Sequence, residues 1–276
     1  MKIQPHLLAG QNGGLYVLKR FPDDVPLTKM VIFVPPFAEE ANKSRHMFSL
    51  LASSLVAEGV GSILFDYYGT GESLGDFEQG SLSSYTQDLV DVVHSTATSG
   101  VPVCLVCLRL GALVALNAAS RLAGVGDVVF INPVTNGRQL INQFFRLRIA
   151  GGLSSGEGKV TSKAIKAELE QAGCTEIAGY TISKTLVDEL EACSLEKLVS
   201  TAGFSFPSVH LLELNGTIKK ELTPVAKKAA DQLAAAGVGV HSDTVAGDQF
   251  WATQEISTAP EAINVIVNIL SQSGQA

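Results

Sequence analysis

At 276 residues, with 46% hydrophobic and 17% charged side chains, the chain suits one large α/β domain or a domain carrying an insertion, and disorder is excluded. A formal net charge of −7 argues against a general nucleic-acid surface. No apolar run approaches the ~18 residues of a membrane span, and Met1-Lys2-Ile3-Gln4-Pro5-His6 does not read as a signal peptide, so no transmembrane segment and a cytoplasmic location are expected.

Leu15 to Phe21 and Met30 to Val34 read as the first strands, separated by the turn material Phe21-Pro22-Asp23-Asp24. Val34-Pro35-Pro36-Phe37 ends the second strand, because proline cannot donate to a ladder. Met47, Leu50, Leu51, Ser54 and Leu55 recur at helical spacing and predict a helix over 42–58, stopped by Gly59. Ser62-Ile63-Leu64-Phe65 is a buried strand. A helix follows over 81–97, with Ser81 as its N-cap and Leu82, Tyr85, Leu89, Val92 and Val93 on its inner face. Strand 101–106, helix 111–122 and strand 128–131 continue the alternation, which means a mostly parallel sheet with helices on both faces. Between Pro133 and Phe206 no strand is evident. Helical patterns at 161–172 and 182–199, and the flexible-looking 151–156, read as a helical cap insertion over 135–205, leaving 1–134 and 206–276 as the core. Strands at 209–214 and 238–245, with helices at 223–236 and 259–270, complete the chain.

Cys104 and Cys107 form a C-x-x-C. Residues i and i+3 of a strand point to opposite faces, so the pair reads as two buried small hydrophobes rather than a redox or metal site. Four cysteines in so long a chain do not suggest a disulfide framework. Asp66-Tyr67-Tyr68-Gly69-Thr70-Gly71-Glu72-Ser73 is glycine-rich but fails the dinucleotide pattern, since no helix opens at the turn. Asp66 reads as a loop-fixing acceptor. Neither a cofactor nor a metal site is expected.

The segment Cys107-Leu108-Arg109-Leu110-Gly111 joins a strand to a helix, the setting of the G-x-S-x-G nucleophile elbow. The serine position is Arg109. A guanidinium stays protonated and offers only donors, so it cannot be the nucleophile. Two readings stay open: a structural arginine held by acidic neighbours, with Glu39 and Glu40 the nearest candidates, or an anion receptor at the floor of the main pocket. The polar run Glu39-Glu40-Ala41-Asn42-Lys43-Ser44-Arg45 follows a strand end where ligands commonly bind, but it also suits a solvated first helical turn. The other triad members are missing too. After Leu214 the chain reads Asn215-Gly216-Thr217-Ile218-Lys219-Lys220-Glu221, with lysine where an aspartate is common. After Val245 it reads Ala246-Gly247-Asp248-Gln249-Phe250-Trp251, with no histidine. His241 lies at the wrong end of its strand, and His46 reads as a helix-face residue.

These blocks resemble the α/β-hydrolase-like proteins called exosortase A system-associated hydrolase 2. The resemblance rests on Pro35 to Glu40 with Asn42 to Arg45, on Asp66 to Ser73, on Leu108 to Ala112, and on Phe250-Trp251 with Gln254 to Ile256. It covers almost the whole chain and includes the elbow arginine; Cys107, where glycine is common, departs from it. The resemblance implies an α/β-hydrolase fold and a link to bacterial exopolysaccharide gene clusters, while fold leaves function open. Two functions are carried forward. One is a catalytically degenerate fold that binds a small anionic or acyl ligand, or a protein partner, at the Arg109 elbow. Its ligand residues would be Phe37, Ala38, Asn42, Lys43, Arg45 and Leu110, with the cap's Phe144, Phe145, Leu147 and Leu153 over an apolar tail. The other is an active hydrolase or acyltransferase on an ester or thioester, with Glu39 or Glu40 as a non-standard base beside Arg109.

Overall fold

The computed structural model describes residues 1–97, 100–155, 160–201, 206–216 and 221–272. The strands are β1 (Lys2–Ala9), β2 (Gly14–Phe21), β3 (Lys29–Val34), β4 (Val60–Phe65), β5 (Val103–Leu108), β6 (Val125–Ile131), β7 (Cys174–Ile177), β8 (Tyr180–Ser183), β9 (Ser208–Asn215) and β10 (Gly239–Ala246). The α-helices are α1 (Glu39–Ala57), α2 (Leu82–Ala97), α3 (Leu110–Ala118), α4 (Gly137–Ser155), α5 (Ser162–Ala172), α6 (Lys184–Ala192), α7 (Leu195–Thr201), α8 (Pro224–Ala235) and α9 (Pro260–Gln272).

Eight strands make one sheet in the order β1-β2-β4-β3-β5-β6-β9-β10. β2 runs antiparallel to both its neighbours, and every pair from β4 to β10 is parallel. The reason lies in composition. β3 and β5 are six-residue runs buried at every position, as a strand covered on both faces must be. Their side chains divide by strand alternation. Val31, Phe33, Val106 and Leu108 pack with Met47, Leu51 and Leu55 of α1 and Ile266 of α9. Ile32, Val34, Leu105 and Cys107 pack with α2, α3 and α8 on the other face. Cys104 and Cys107 fall on opposite faces as free, buried thiols, as their spacing requires.

Local signals set the helix ends. Ser81 Oγ accepts the Ser84 N–H at 2.9 Å, the N-cap bond expected for α2. Gly59, at φ 76°, turns the chain out of α1 into β4. Among the described residues no helix is long and apolar enough to cross a membrane.

Three expectations need correction. β1 has no counterpart in the sequence reading: it is an edge strand, exposed along most of its length and carrying Pro5 within it, so no buried apolar face marks it in the sequence. The excursion between β6 and β9 is not strand-free, because β7 and β8 form an antiparallel hairpin within it, separate from the central sheet. And 151–155 continue α4 rather than loosening the chain.

Candidate functional site

The parallel strands deliver β3 and β5 side by side, so the turns that follow them meet at one sheet edge. Both turns enter their helices through the same strained backbone. Ala38, before α1, has φ 49° and ψ −124°; Arg109, before α3, has φ 53° and ψ −111°. A non-glycine residue at positive φ at a strand-to-helix junction is the backbone form of a nucleophile elbow. Gly111 completes it, since a Cβ there would lie 2.5 Å from the Val34 carbonyl oxygen. The local fold of the elbow is thus intact with arginine at its apex.

Arg109 is held on three sides. Its Nε donates to Glu40 Oε1 at 3.2 Å, its Nη1 donates to the Asn132 carbonyl at 3.3 Å, and its guanidinium lies over the Trp251 ring, 5.8 Å from the centroid. The ion pair is largely shielded, with side-chain exposures of 20% for Arg109 and 23% for Glu40. Burial pushes the Glu40 carboxyl above its ordinary pKa, opposed by the charge and hydrogen bond of Arg109 and by the charge of Lys43. Among the described residues, Glu40 Oε2 is sealed from solvent and has no hydrogen-bond partner.

Glu39 turns elsewhere. It accepts from the Tyr180 hydroxyl at 2.9 Å and from Asn42 Nδ2 at 3.3 Å, so only Glu40 pairs with the elbow. Nor does Arg109 line the cavity beside the Asp66–Gly71 loop. With Asn132, Thr135, Glu213 and Thr223 it lines a separate depression of about 160 Å³, into which Glu213 brings a carboxylate. That carboxylate accepts from the Thr223 N–H and hydroxyl and thereby fixes the start of α8.

Two other hollows flank the Phe37–Ala38 turn. One, of about 190 Å³, is an apolar cleft walled by Phe37, Ala38, Glu40, Leu140, Phe144 and Leu147. Phe145, expected there, is instead fully buried in the core. The other, of about 170 Å³, is lined by Phe37, Ala38, Asn42 and Arg45, by the Asp66–Gly71 loop, and by Phe77, Tyr85 and Tyr180. Four of the six expected ligand residues therefore meet in this cavity. Lys43 lies away from it on α1, and Leu110 is buried as the first residue of α3. Asp66 fixes its loop, as expected: it accepts from Arg45 at 2.9 Å and from the Glu72 N–H at 3.0 Å, and Gly71 leaves the room this needs. The sequence reading missed Tyr180, which the β7–β8 hairpin carries to the cavity mouth. Nor did it place Tyr85, read only as a packing residue of its helix, in the lining of this cavity.

No histidine stands beside the elbow after β10. Asp248 and Gln249 are exposed there, and Gln249 Nε2 donates to the Leu214 carbonyl at 3.4 Å. The expected lysine in place of a catalytic acid, within 217–220, and the Leu153 side chain lie outside the described residues. Among the described residues, no group of three or more His, Cys, Asp or Glu side chains is placed to hold a metal ion.

Solved structures share this architecture along nearly the whole chain. Est1E from Butyrivibrio proteoclasticus, with ferulic acid bound, is 15% identical at a TM-score of 0.67, with 96% of each chain covered. A thermostable carboxyl esterase from Bacillus coagulans is 15% identical at a TM-score of 0.62, and a serine hydrolase homologue from Coxiella burnetii 15% identical at 0.58, each with 98% of both chains covered. Identities this low establish the α/β-hydrolase fold alone. No curated protein matches the sequence. The serine aminopeptidase S33 family matches residues 26–167, which include β3, the elbow and the start of the excursion, and the chain belongs to that family of α/β-hydrolases.

Proposed function

We propose that the protein binds a small acyl or anionic ligand without hydrolysing it, through the cavity beside the elbow rather than through Arg109 itself. The observation that carries this reading is the clamped arginine at the nucleophile position, bound to Glu40, Asn132 and Trp251. Serine-dependent cleavage needs a hydroxyl at that apex and a base within hydrogen-bond reach, and neither is present among the described residues. The alternative, an unconventional hydrolase or acyltransferase with Glu40 as base, is disfavoured by geometry. One Glu40 oxygen is engaged by Arg109 and the other is closed to water, so neither can take a proton from an attacking water.

The charges favour the acyl member of the ligand pair. Arg109 is paired with Glu40 and shares its depression with Glu213, and Arg45 is paired with Asp66, so neither cation stands alone before an incoming anion. The finer kinship with exosortase-associated hydrolases belongs to the same proposal, because the blocks that carry it, Pro35 to Arg45 and Asp66 to Ser73, are the ones that wall the cavity. A cytoplasmic site of action is part of this reading.

A fluorophosphonate probe and p-nitrophenyl butyrate test it. The expected result is no labelled serine and turnover no higher than that of an Arg109→Gly variant. Stoichiometric labelling, or turnover abolished by Arg109→Gly, overturns the binding reading.

A further inference from the structure

His241, at the wrong end of its strand for catalysis, has a partner of its own kind. β10 is an edge strand, paired with β9 alone, and of its eight residues only Val245 is buried. His241 stands opposite His210 in that ladder, and the two imidazoles lie flat on one another, with centroids 5.0 Å apart and planes 19° off parallel. His210 is largely shielded, with 19% of its side chain exposed, while His241 is open to solvent. An edge held by so little burial depends on its cross-strand pairs, and this is the one β9–β10 pair that carries rings.

The neighbouring charges decide how the pair responds to protons. On the β6 side, Asp127 Oδ1 lies 3.9 Å from His210 Nε2 and accepts the Ser208 hydroxyl at 3.0 Å. Beyond Asp127 come Cys104 of β5 and Lys29 of β3. On β10 itself, Asp243 adds a second carboxylate. α9 covers the same face of the sheet with Ile266 and Leu270, but its one carboxylate, Glu261, lies in its first turn, close to Ala259, which packs on Gly247 beyond the far end of β10. Burial, and after it the facing His241, hold His210 below histidine's ordinary 6.5, against the pull of Asp127 and Asp243. A histidine whose folded pKa is depressed contributes stability that is complete above its unfolded value and is lost as pH falls through the folded one. Once both rings are charged, like charges stand directly opposite across the strands and repel.

We propose that His210 and His241 form an acid-sensitive clasp on the sheet edge: as neutral stacked rings they hold the first half of β10 to β9, and as two cations they release it. The release is local. Val245, Phe250 and Trp251 are buried at the other end of the strand and in the turn after it, so residues 239–243 come free while Trp251 stays over Arg109. What acid uncovers is the β9 edge over residues 208–212, a row of backbone donors and acceptors able to take another strand.

Amide exchange of the full chain at pH 7.5 and pH 5, corrected for the intrinsic pH dependence of exchange, tests this beside a His241→Phe variant, which keeps a ring opposite His210 but cannot charge. In the wild type, exchange over 239–243 is expected to be about fivefold faster at the lower pH, the worth of one cross-strand pair, with β3 and β5 unchanged. His241→Phe is expected to abolish the acceleration and to move the His210 titration to higher pH, followed by NMR with the signal assigned by its loss in His210→Gln. Acceleration that is absent in the wild type, or the same in His241→Phe, overturns the clasp, as does a His210 titration that His241→Phe leaves in place. Acceleration that spreads to β3 and β5 reports global unfolding and overturns it as well.

Discussion

Arg109 occupies the left-handed backbone region at φ 53°, where a non-glycine residue costs about 1–2 kcal/mol. In a serine enzyme that strain presents the nucleophile; here it presents a guanidinium to Glu40 and Trp251. Backbone and side-chain contributions separate in two variants. Arg109→Ala loses the ion pair and keeps the strained backbone, while Arg109→Gly loses the pair and relieves it. Melting temperatures are therefore expected to fall in the order wild type, Arg109→Gly, Arg109→Ala. The pair is one-fifth exposed, so its loss should cost about 1–3 kcal/mol, less than the 3–5 of a fully buried pair. The deficit should depend on pH. Burial already raises the Glu40 pKa, and removing Arg109 removes the strongest opposing influence. A carboxyl whose folded pKa is raised contributes stability below its unfolded pKa that is lost as pH rises through the folded one. The Arg109→Ala deficit is thus expected to grow as pH rises through the Glu40 titration, and Glu40→Gln in that background to flatten it. Equal deficits in acid and at neutral pH would show that the Glu40 carboxylate is not the cause. Arg109→Ser returns a hydroxyl to the apex but no base, since Asp248 and Gln249 follow β10; ester turnover is expected to stay at background.

At the scale of elements, the β7–β8 hairpin joins the excursion to the cavity. Its turn residues Ala178 and Gly179 both have positive φ, 52° and 83°, the two-residue turn that suits strand twist. Gly179 accepts this freely and Ala178 does not. Ala178→Asn is expected to stabilise the protein by ~0.5 kcal/mol, because asparagine tolerates the left-handed region better than alanine. The adjacent Tyr180 is a latch, donating to Glu39 and accepting from Asn42 while its ring meets Phe77. Tyr180→Phe removes the hydrogen bonds and keeps the ring. Faster amide exchange over 174–183, with β3 and β5 unchanged, is the expected result; unchanged exchange would mean that ring packing alone holds the hairpin.

The same hairpin shows where sequence patterning stops being informative. β3 and β5 are legible because burial on both faces forces continuous apolar runs, and α2 because Leu82, Tyr85, Leu89, Val92 and Val93 keep one periodic face. Cys174-Thr175-Glu176-Ile177 and Tyr180-Thr181-Ile182-Ser183 are four residues each, too short for alternation to stand out, and Ala-Gly is a weaker turn signal than Asn-Gly. The elbow was readable from a five-residue motif. The cavity was not, because Tyr85 and Tyr180 lie far apart in sequence and meet only through the tertiary fold.

Across the whole molecule, α2 ties the sheet edge to the cavity through Asp88, and this fixes a pH response. Asp88 has no exposed surface. Its Oδ2 accepts the Tyr68 N–H at 2.8 Å, in the loop that walls the cavity, and Asn12 donates from the β1–β2 connection. Its Oδ1 has no partner among the described residues, and Asp91 adds a like charge nearby. Burial is the largest cause and pushes the pKa from 3.8 to about 6. The folded protein therefore holds a proton that the unfolded chain releases between those values, so the Asp88 contribution to stability is greatest in acid and falls as pH rises from about 4 to about 6. The shift corresponds to up to about 3 kcal/mol. Asp88→Asn keeps an acceptor for Tyr68 and removes the buried charge. It is expected to melt higher than wild type at pH 8, to match it near pH 4, and to lose that part of the slope between. Denaturant midpoints measured across this range decide the matter, and a variant less stable than wild type at pH 8 would mean that the ionised carboxylate, through Tyr68 and Asn12, holds these loops better than a neutral amide does.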